Sequence, residues 1–273
     1  MARGNTPVIS YSCEVSRKRD GEQSVQDHSL TIVIKGSYEL DNGYGKVIFS
    51  SGDIFFCAKN QLLKYRKLNQ SEKDFKSLTI FFDEQTLFQF SRENNSKASE
   101  KKHHGKDGIK PIEKSSVLAT FMRALTEYEE TFNEMSPQLM HIKQQEALIL
   151  LLKYDENLRN ILFDFSLPVK ADLENFMEGN YRFNVSLNCF AYLTGRSLSA
   201  FKRDFFQKFH ETPARWLLKR RLESAYNLLT EGKSASDVYQ DLGFESLSHF
   251  SHTFKKQYGV SPIQIYGSDT TLN

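Results

Sequence analysis

An internal repeat across residues 186–265 constrains this 273-residue chain more than any other feature. Each copy has a helix-type pattern, a turn that contains glycine, and a second helix-type pattern. The copies are offset by 48 residues before the turn and by 49 residues after it. Each copy ends on a hydroxyl residue followed by proline, Thr212-Pro213 and Ser261-Pro262, which is typical of the start of another helix. The repeat therefore predicts two helix-turn-helix units joined by a linker helix.

The two copies carry matching motifs, which continue into the linker. They are Leu187-x-x-Phe190-Ala191-x-x-x-Gly195 with Ser199-x-Phe201-Lys202-Arg203-x-Phe205, Ala235-x-x-Val238-Tyr239-x-x-x-Gly243 with Ser248-x-Phe250-Ser251-His252-x-Phe254, Gly259-Val260-Ser261-Pro262, and the linker motif Arg221-Leu222-x-x-Ala225-x-x-Leu228-Leu229. Over roughly residues 170–266, these motifs resemble the DNA-binding domain of the AraC/XylS family of bacterial transcription regulators. The resemblance implies a sequence-specific regulator that binds double-stranded promoter DNA. It implies an activator that contacts RNA polymerase, and repression is the alternative that the sequence leaves open.

Helical spacing divides each second helix of the repeat into an inner and an outer face. Phe201 and Phe205 group on one side of the first such helix, while Lys202 and Arg203 group on the other side. By resemblance to the family, Ser199, Lys202 and Arg203 are candidates for base contact. The same helical geometry in the second copy adds Ser248, His249, Ser251 and His252. The candidates for phosphate contact are Arg196, Lys219, Arg220, Lys255 and Lys256. Phe206 stands where the family usually has lysine.

Two alternatives to these roles stay open. Lys202 and Arg203 could contact only phosphates or form a surface pair. Arg221 could pair inside the fold, for example with a carboxylate, or could contact DNA. Trp216, the single tryptophan, is expected in the core.

The two copies differ in charge. Residues 186–221 contain eight Lys or Arg against two acidic residues, a net charge of +6, whereas residues 222–254 contain one Lys against five acidic residues, a net charge of −4. His252 stands where the family usually has arginine, and neutral histidine offers fewer donors and no charge. The sequence therefore predicts stronger base readout by the first copy than by the second.

The N-terminal half has β-type patterns at residues 30–34, 38–40, 46–49, 54–58, 62–68 and 78–82. Asp41-Asn42-Gly43 and Ser51-Gly52-Asp53 supply turns, and Gly52-Asp53 resembles the turn of cupin-type jelly rolls. Residues 1–26 are polar and are expected to be partly disordered or an edge strand. The predicted fold class is α+β with two domains: a small antiparallel β jelly-roll or cupin-like barrel followed by dimerisation-type helices, and an all-α domain with both helix-turn-helix motifs.

One helix is expected to begin at residue 83, a second to span residues 117–132, and a third to begin at Pro137. Between the first two, residues 91–110 are expected to form a mobile loop. Its Lys101-Lys102-His103-His104 cluster either binds phosphate or is only solvated. The segment 147–152 is apolar all round, so the barrel, a second subunit or an intramolecular core must cover it. Leu167-Pro168 suggests domains at 1–166, with its helical part at about 112–166, and 167–267. A further helix is expected over residues 168–178.

An enzyme is the competing class of function, as a metal-dependent cupin fused to the DNA-binding domain. Of the seven histidines only His28 lies in the barrel region, and no catalytic constellation or metal-ligand spacing is found, so neither catalytic residues nor a metal or cofactor are expected. The N-terminal domain could instead bind a small-molecule effector, a protein partner or a second copy of the chain. Three scattered cysteines, no signal peptide and no membrane-length apolar run lead us to expect a cytoplasmic protein that does not contact membranes.

Overall fold

A computed structural model describes residues 8–14, 18–68, 75–98, 108–128 and 135–268 of the chain. It divides into two units, Met1–Leu167 and Pro168–Asn273. The Lys101-Lys102-His103-His104 cluster and Phe132, both singled out in the sequence, lie outside the described residues.

In the described part of the first unit, nine strands form two antiparallel sheets. The strands are β1 (Ile9–Glu14), β2 (Lys18–Val25), β3 (His28–Lys35), β4 (Ser37–Asp41), β5 (Lys46–Ser50), β6 (Ile54–Cys57), β7 (Gln61–Leu68), β8 (Phe75–Phe82) and β9 (Ile109–Ile112). One sheet has the order β1-β8-β3-β6-β9 and the other has the order β2-β7-β4-β5. This arrangement confirms the predicted antiparallel β architecture and each of the six predicted strands.

The five-stranded sheet is buried on both faces. One face packs Val33, Phe55 and Phe75 against Leu40 and Phe49 of the four-stranded sheet. The opposite face contributes alternate residues, including Leu30, Ile32, Phe56 and Ile80, to a second core shared with the helices of this unit. A sheet that is covered on both faces needs apolar residues on both sides of its strands. Strand β6 meets this requirement, since all four of its residues are buried.

Glycine forms the two turns that the sequence predicted. Gly43 has a φ of +87° and its backbone N–H donates to Asp41 Oδ1. Gly52 has a φ of +86°, and its backbone N–H donates to the carbonyl oxygen of Val33. Both conformations are unfavourable for residues with a Cβ atom.

The structure resolves one open alternative and corrects one prediction. β1 and β2 are the edge strands of the two sheets, so the edge-strand reading of the N-terminal segment is confirmed for its described part. The predicted loop over residues 91–110 is wrong at both ends, because the helix that follows Asp83 continues to Glu93, and β9 begins at Ile109 and pairs with β6. The carbonyl oxygen of Gly108 accepts from the backbone of Ala58 and from Gln61 Nε2, and these long-range bonds align the strand.

Helices of the first unit cover the outer face of the five-stranded sheet. They are α1 (Glu84–Glu93), α2 (Val117–Thr126), α3 (Pro137–Tyr154) and α4 (Arg159–Leu162), with one turn of 3-10 helix at Glu156–Leu158. Asp83, Ser116 and Ser136 cap the first three through their side chains. The predicted starts of all three are confirmed, but α2 ends at Thr126 and not at residue 132.

The apolar segment of α3 is buried on one side only. Ala147, Leu148 and Leu151 are in the core, whereas Ile149 and Ile142, one heptad apart, are 54% and 60% exposed. No helix among the described residues is long and apolar enough to cross a membrane.

The second unit contains seven helices among its described residues. They are α5 (Leu173–Asn180), α6 (Leu187–Leu193), α7 (Leu198–Phe209), α8 (Pro213–Thr230), α9 (Ala235–Asp241), α10 (Leu247–Tyr258) and α11 (Pro262–Ser268). The expected helix from Pro168 is wrong at its start, since α5 begins only at Leu173. Asp172 caps α5 by accepting from the backbone N–H of Asn175, and Ala171 donates its backbone N–H to Thr194 instead of entering the helix.

Candidate nucleic-acid interface

The first helix-turn-helix is α6 and α7 with the turn between them. Ser186 and Ser197 cap the two helices, and Gly195 in the turn has a φ of +66°. A Cβ atom at Gly195 would collide with the backbone carbonyl of Pro168. The turn therefore requires glycine for its backbone conformation and for its close packing against the chain before α5.

Helix α7 has one anchored face and one exposed face. Phe201 and Phe205 are completely buried, and Phe205 packs against Phe209 and Trp216. This confirms that Trp216 belongs to the core. The exposed side chains of α7 include Ser199, Lys202, Arg203 and Phe206. The outer face that helical spacing predicted thus faces away from the packed core.

Asp204 lies between the two faces of α7 and binds three basic side chains. Its Oδ2 is 3.2 Å from Arg196 Nε and 3.2 Å from Lys170 Nζ, while its Oδ1 is 3.1 Å from Arg203 Nη2. Hydrogen bonds from these three cations lower the pKa of Asp204 to about 2. Sequence reasoning missed this role, although an acidic residue directly after Arg203 was a visible signal.

Arg196 requires a correction. Its side chain is only 7% exposed, and besides Asp204 it binds the carbonyl oxygens of Ala171 at 2.9 Å and Thr194 at 2.6 Å. A guanidinium group enclosed in this way is held inside the fold. The structure therefore does not support Arg196 as a phosphate contact.

The second helix-turn-helix is α9 and α10. Ser234 and Ser246 cap the helices, Gly243 has a φ of +72°, and Phe250 and Phe254 are completely buried. The side chains of Ser248, His249, His252, Lys255 and Lys256 are exposed and that of Ser251 is half-buried. Each unit therefore exposes one face of its second helix, as the repeat predicted.

Arg221 of linker helix α8 holds the chain before α6 against the turn of the second helix-turn-helix. Its Nε donates to the carbonyl oxygen of Tyr181 at 2.8 Å, its Nη2 to that of Phe183 at 2.8 Å, and its Nη1 to that of Gly243 at 2.9 Å. Of the two alternatives for Arg221, pairing inside the fold is confirmed, and its partners include these three backbone carbonyls. A Cβ atom at Gly243 would collide with the carbonyl of Arg182, so the turn packs directly on this segment.

The other basic residues of α8 differ in availability. Arg220 Nε donates to Glu178 Oε2 at 2.9 Å, and its guanidinium lies 4.7 Å from the centre of the Tyr181 ring. Arg215 pairs with Glu211 at 3.8 Å. Lys219 is exposed and forms no ion pair within the described residues. Among the predicted phosphate contacts on α8, Lys219 is therefore freer than Arg220.

The titratable groups of the β-sandwich are buried singly. Burial and the nearby Lys59 lower the pKa of His28 to about 3, and its Nδ1 accepts the backbone N–H of Lys59 at 3.1 Å. Burial raises the pKa of the Cys57 thiol to about 12. Within the described ranges, no three His, Cys, Asp or Glu residues group as a metal site would need.

Comparison with known proteins assigns both units. Residues 28–161 match the ExsA N-terminal regulatory domain, and residues 190–266 match a helix-turn-helix domain. The HTH-type transcriptional regulator ExsA of Pseudomonas aeruginosa is 27% identical over 263 residues, covering 94% of this chain and 88% of ExsA.

Two further similarities are with proteins of other bacteria. The virulence regulon transcriptional activator VirF of Yersinia enterocolitica is 36% identical over 134 residues, which are 47% of this chain and about half, 49%, of VirF. An apo crystal structure of ToxT from Vibrio cholerae is 12% identical, with a TM-score of 0.46 over 97% of this chain and 98% of ToxT. From the two domain matches and its double helix-turn-helix, the chain belongs to the AraC family of DNA-binding transcription regulators and carries an ExsA-type N-terminal regulatory domain.

Proposed function

We propose that this protein activates transcription by placing α7 and α10 in successive major grooves of promoter DNA. The observation that carries the proposal is the pair of exposed helix faces on a unit whose two halves are joined through Arg221. Successive major grooves on one side of B-DNA are about 34 Å apart. Two different recognition helices held on one unit can therefore bind an asymmetric site, and no palindrome is needed. Activation, with RNA polymerase as a partner, is inferred from relatives such as VirF, which is described as a transcriptional activator.

The proposed contacts with bases come from the exposed faces of the two reading helices. On α7 these are Ser199, Lys202 and Arg203, and on α10 they are Ser248, His249, Ser251 and His252. Lysine and arginine suit guanine O6 and N7, whereas serine bonds bases without strong preference. The proposed phosphate contacts are Lys219, Lys255 and Lys256, with Arg220 available only if it leaves Glu178.

The proposed role of the N-terminal unit is regulatory, either by sensing an effector or by joining two copies of the chain. Its match to a regulatory domain supports this proposal, and it is the reason that we propose no enzyme activity. A protein partner is the alternative that the sequence left open for this unit. Ile149, exposed on α3, lies in the segment 147–152 that the sequence suggested a second subunit could cover, and the exposed Ile142 lies seven residues earlier on the same helix.

Selection of bound sequences from random DNA with the full-length protein tests the proposal. Recovery of a motif with two elements about one helical turn apart is expected. On that motif, Arg203→Ala should weaken binding by about 1–3 kcal/mol, because it removes charged base-directed donors. His252→Ala should cost less at pH 7.5, since an imidazole offers fewer hydrogen-bond donors than a guanidinium group.

A control variant defines the comparison. Lys153→Ala, which removes an exposed positive charge from α3, is the matched control and should leave binding unchanged. A larger loss for His252→Ala than for Arg203→Ala at pH 7.5 would contradict unequal readout, and the absence of any selected motif would contradict sequence-specific binding.

A further inference from the structure

Asp204 forms a chain of charged contacts that ends at a proposed base-reading residue. On one side it accepts from Arg196, whose side chain is 7% exposed. On the other side its Oδ1 accepts from Arg203 Nε at 3.3 Å and from Arg203 Nη2 at 3.1 Å. Arg203 is 67% exposed, so the chain of contacts runs from the protein interior to the outer face of α7.

The inner end of this chain is fixed by backbone atoms. Arg196 Nη1 donates to the carbonyl oxygens of Ala171 and Thr194. Thr194 is completely buried, and its hydroxyl donates to the carbonyl oxygens of Phe190 and Ala191. Because Arg196 has so little freedom, the position of the Asp204 carboxylate is set by the turn of the helix-turn-helix.

The outer end of the chain leaves part of Arg203 available. A guanidinium group has five N–H donors in a planar fork, and Asp204 engages two of them, one on Nε and one on Nη2. The remaining three donors lie on the two terminal nitrogens. A pair of these is what bidentate recognition of guanine O6 and N7 requires.

We propose that Asp204 is a positioning residue for guanine recognition, which holds the Arg203 guanidinium in the orientation that reads the base. This inference rests on the proposed base contact by Arg203. A guanidinium already fixed by one carboxylate loses less side-chain freedom when it binds a base. The negative charge of Asp204 also opposes sequence-independent attraction of α7 to phosphates, so both effects act to increase discrimination.

The contact persists over the working range of pH. Lys170, Arg196 and Arg203, the charged groups that face the carboxylate, hold the pKa of Asp204 at about 2. The carboxylate is therefore ionised throughout the range in which DNA binding is measured.

The experiment compares Asp204→Asn with Lys170→Ala on the selected DNA site. Lys170→Ala is the matched control, because it removes another cation from Asp204 but leaves the contact with Arg203. Each protein is titrated against the site, against the same site with 7-deazaguanine at the proposed guanine, and against unrelated DNA. For the wild type and for Lys170→Ala, we expect loss of N7 to weaken binding by about 5- to 150-fold.

For Asp204→Asn we expect the ratio of the two dissociation constants, 7-deazaguanine site over guanine site, to fall below about threefold. Binding to unrelated DNA should be unchanged or tighter. In an Arg203→Ala background, Asp204→Asn should have no further effect on the ratio. Retention of the wild-type ratio by a folded Asp204→Asn variant would overturn the proposal. If the Arg203→Ala variant binds the site as tightly as the wild type, and the wild type binds the 7-deazaguanine site as tightly as the guanine site, Arg203 does not contact this base. That result would refute the present inference but not site-specific binding.

A second measurement on the wild type does not depend on the folding of a variant. Nitrogen-15 NMR of arginine side chains, with the Arg203 Nε signal identified by its loss in Arg203→Ala, reports the ion pair in free and bound protein. We expect the hydrogen-bonded Nε signal to persist in the specific complex. Loss of that signal on binding would show that Arg203 leaves Asp204 to reach DNA, and the positioning role would be refuted.

Discussion

Replacement of Arg221 by methionine tests whether one side chain holds the chain before α6 against the turn of the second helix-turn-helix. Arg221→Met keeps most of the aliphatic stem, and the contacts that it removes include the hydrogen bonds to the carbonyl oxygens of Tyr181, Phe183 and Gly243. Hydrogen bonds from a charged donor contribute about 1.5–3 kcal/mol each, so the upper limit is about 5–9 kcal/mol. Arg221 is only half-buried, and water can solvate the released carbonyls, so we expect a loss of about 2–4 kcal/mol in the free energy of unfolding.

Arg220→Met is the matched control on the same helix. It removes the bond to Glu178 at 2.9 Å, the bond to Ser224 at 3.1 Å and the contact with the Tyr181 ring. Because this pair lies nearer the surface, the expected cost is about 0.5–1.5 kcal/mol.

Urea unfolding of the full-length protein measures both variants. Trp216 is the single tryptophan of the chain and is buried beside Phe205 and Phe209, so its fluorescence follows the DNA-binding unit alone. Far-UV circular dichroism recorded in parallel follows the remaining helices. Equal free energies of unfolding for the Arg221→Met and Arg220→Met variants, within about 0.5 kcal/mol, would refute the reasoning from the three carbonyl bonds.

Two further predictions concern a turn and a buried histidine. Gly243→Ala should destabilise the DNA-binding unit by about 1–3 kcal/mol more than Gly232→Ala in the same urea assay; both residues have positive φ, but only at Gly243 would the new Cβ atom meet the backbone, at Arg182. The pKa of His28 is lowered to about 3 in the fold, so the unfolded state binds a proton first as the pH falls. The free energy of unfolding of the N-terminal unit should therefore decrease by up to about 1.4 kcal/mol per pH unit between about pH 6.5 and pH 4.5. Thermal unfolding across this range should show a flatter dependence for His28→Gln than for the wild type, because the titration of carboxylates is common to both proteins. An unchanged slope in that variant would contradict the assignment.

The repeat was predictable because its signals are local. Serine caps, one glycine in each turn and phenylalanines at helical spacing specify the α6–α7 and α9–α10 pairs from residues within a few positions of one another. The same is true of α1 and α3, which begin directly after Asp83 and Ser136. Local hydrogen bonds of this kind compete little with tertiary contacts, so sequence and structure agree.

The features that the sequence did not predict depend on distant partners. Strand β9 is short and is aligned by bonds from Ala58 and Gln61, about 50 residues earlier in the chain. The stretch from Pro168 is held extended by the turn at Thr194 and Gly195, so helix α5 starts late. Arg196 has the appearance of a surface cation in the sequence, because neither its carbonyl partner at Ala171 nor Asp204 is adjacent to it.

These long-range pairings also change the meaning of the charge asymmetry between the two repeats. Six of the eight basic residues that give the first segment its net +6 are engaged within the fold: Arg196, Arg203, Lys208, Arg215, Arg220 and Arg221. Lys202 and Lys219 are exposed and form no ion pair within the described residues. The same is true of Lys255 and Lys256 in the second repeat. A cation that is already paired adds less attraction to phosphate than an unpaired one. The two repeats are therefore closer in their attraction to the DNA backbone than their net charges suggest. The expected difference in sequence readout rests on the contrast between the guanidinium of Arg203, held by Asp204, and the imidazole of His252, which offers fewer donors.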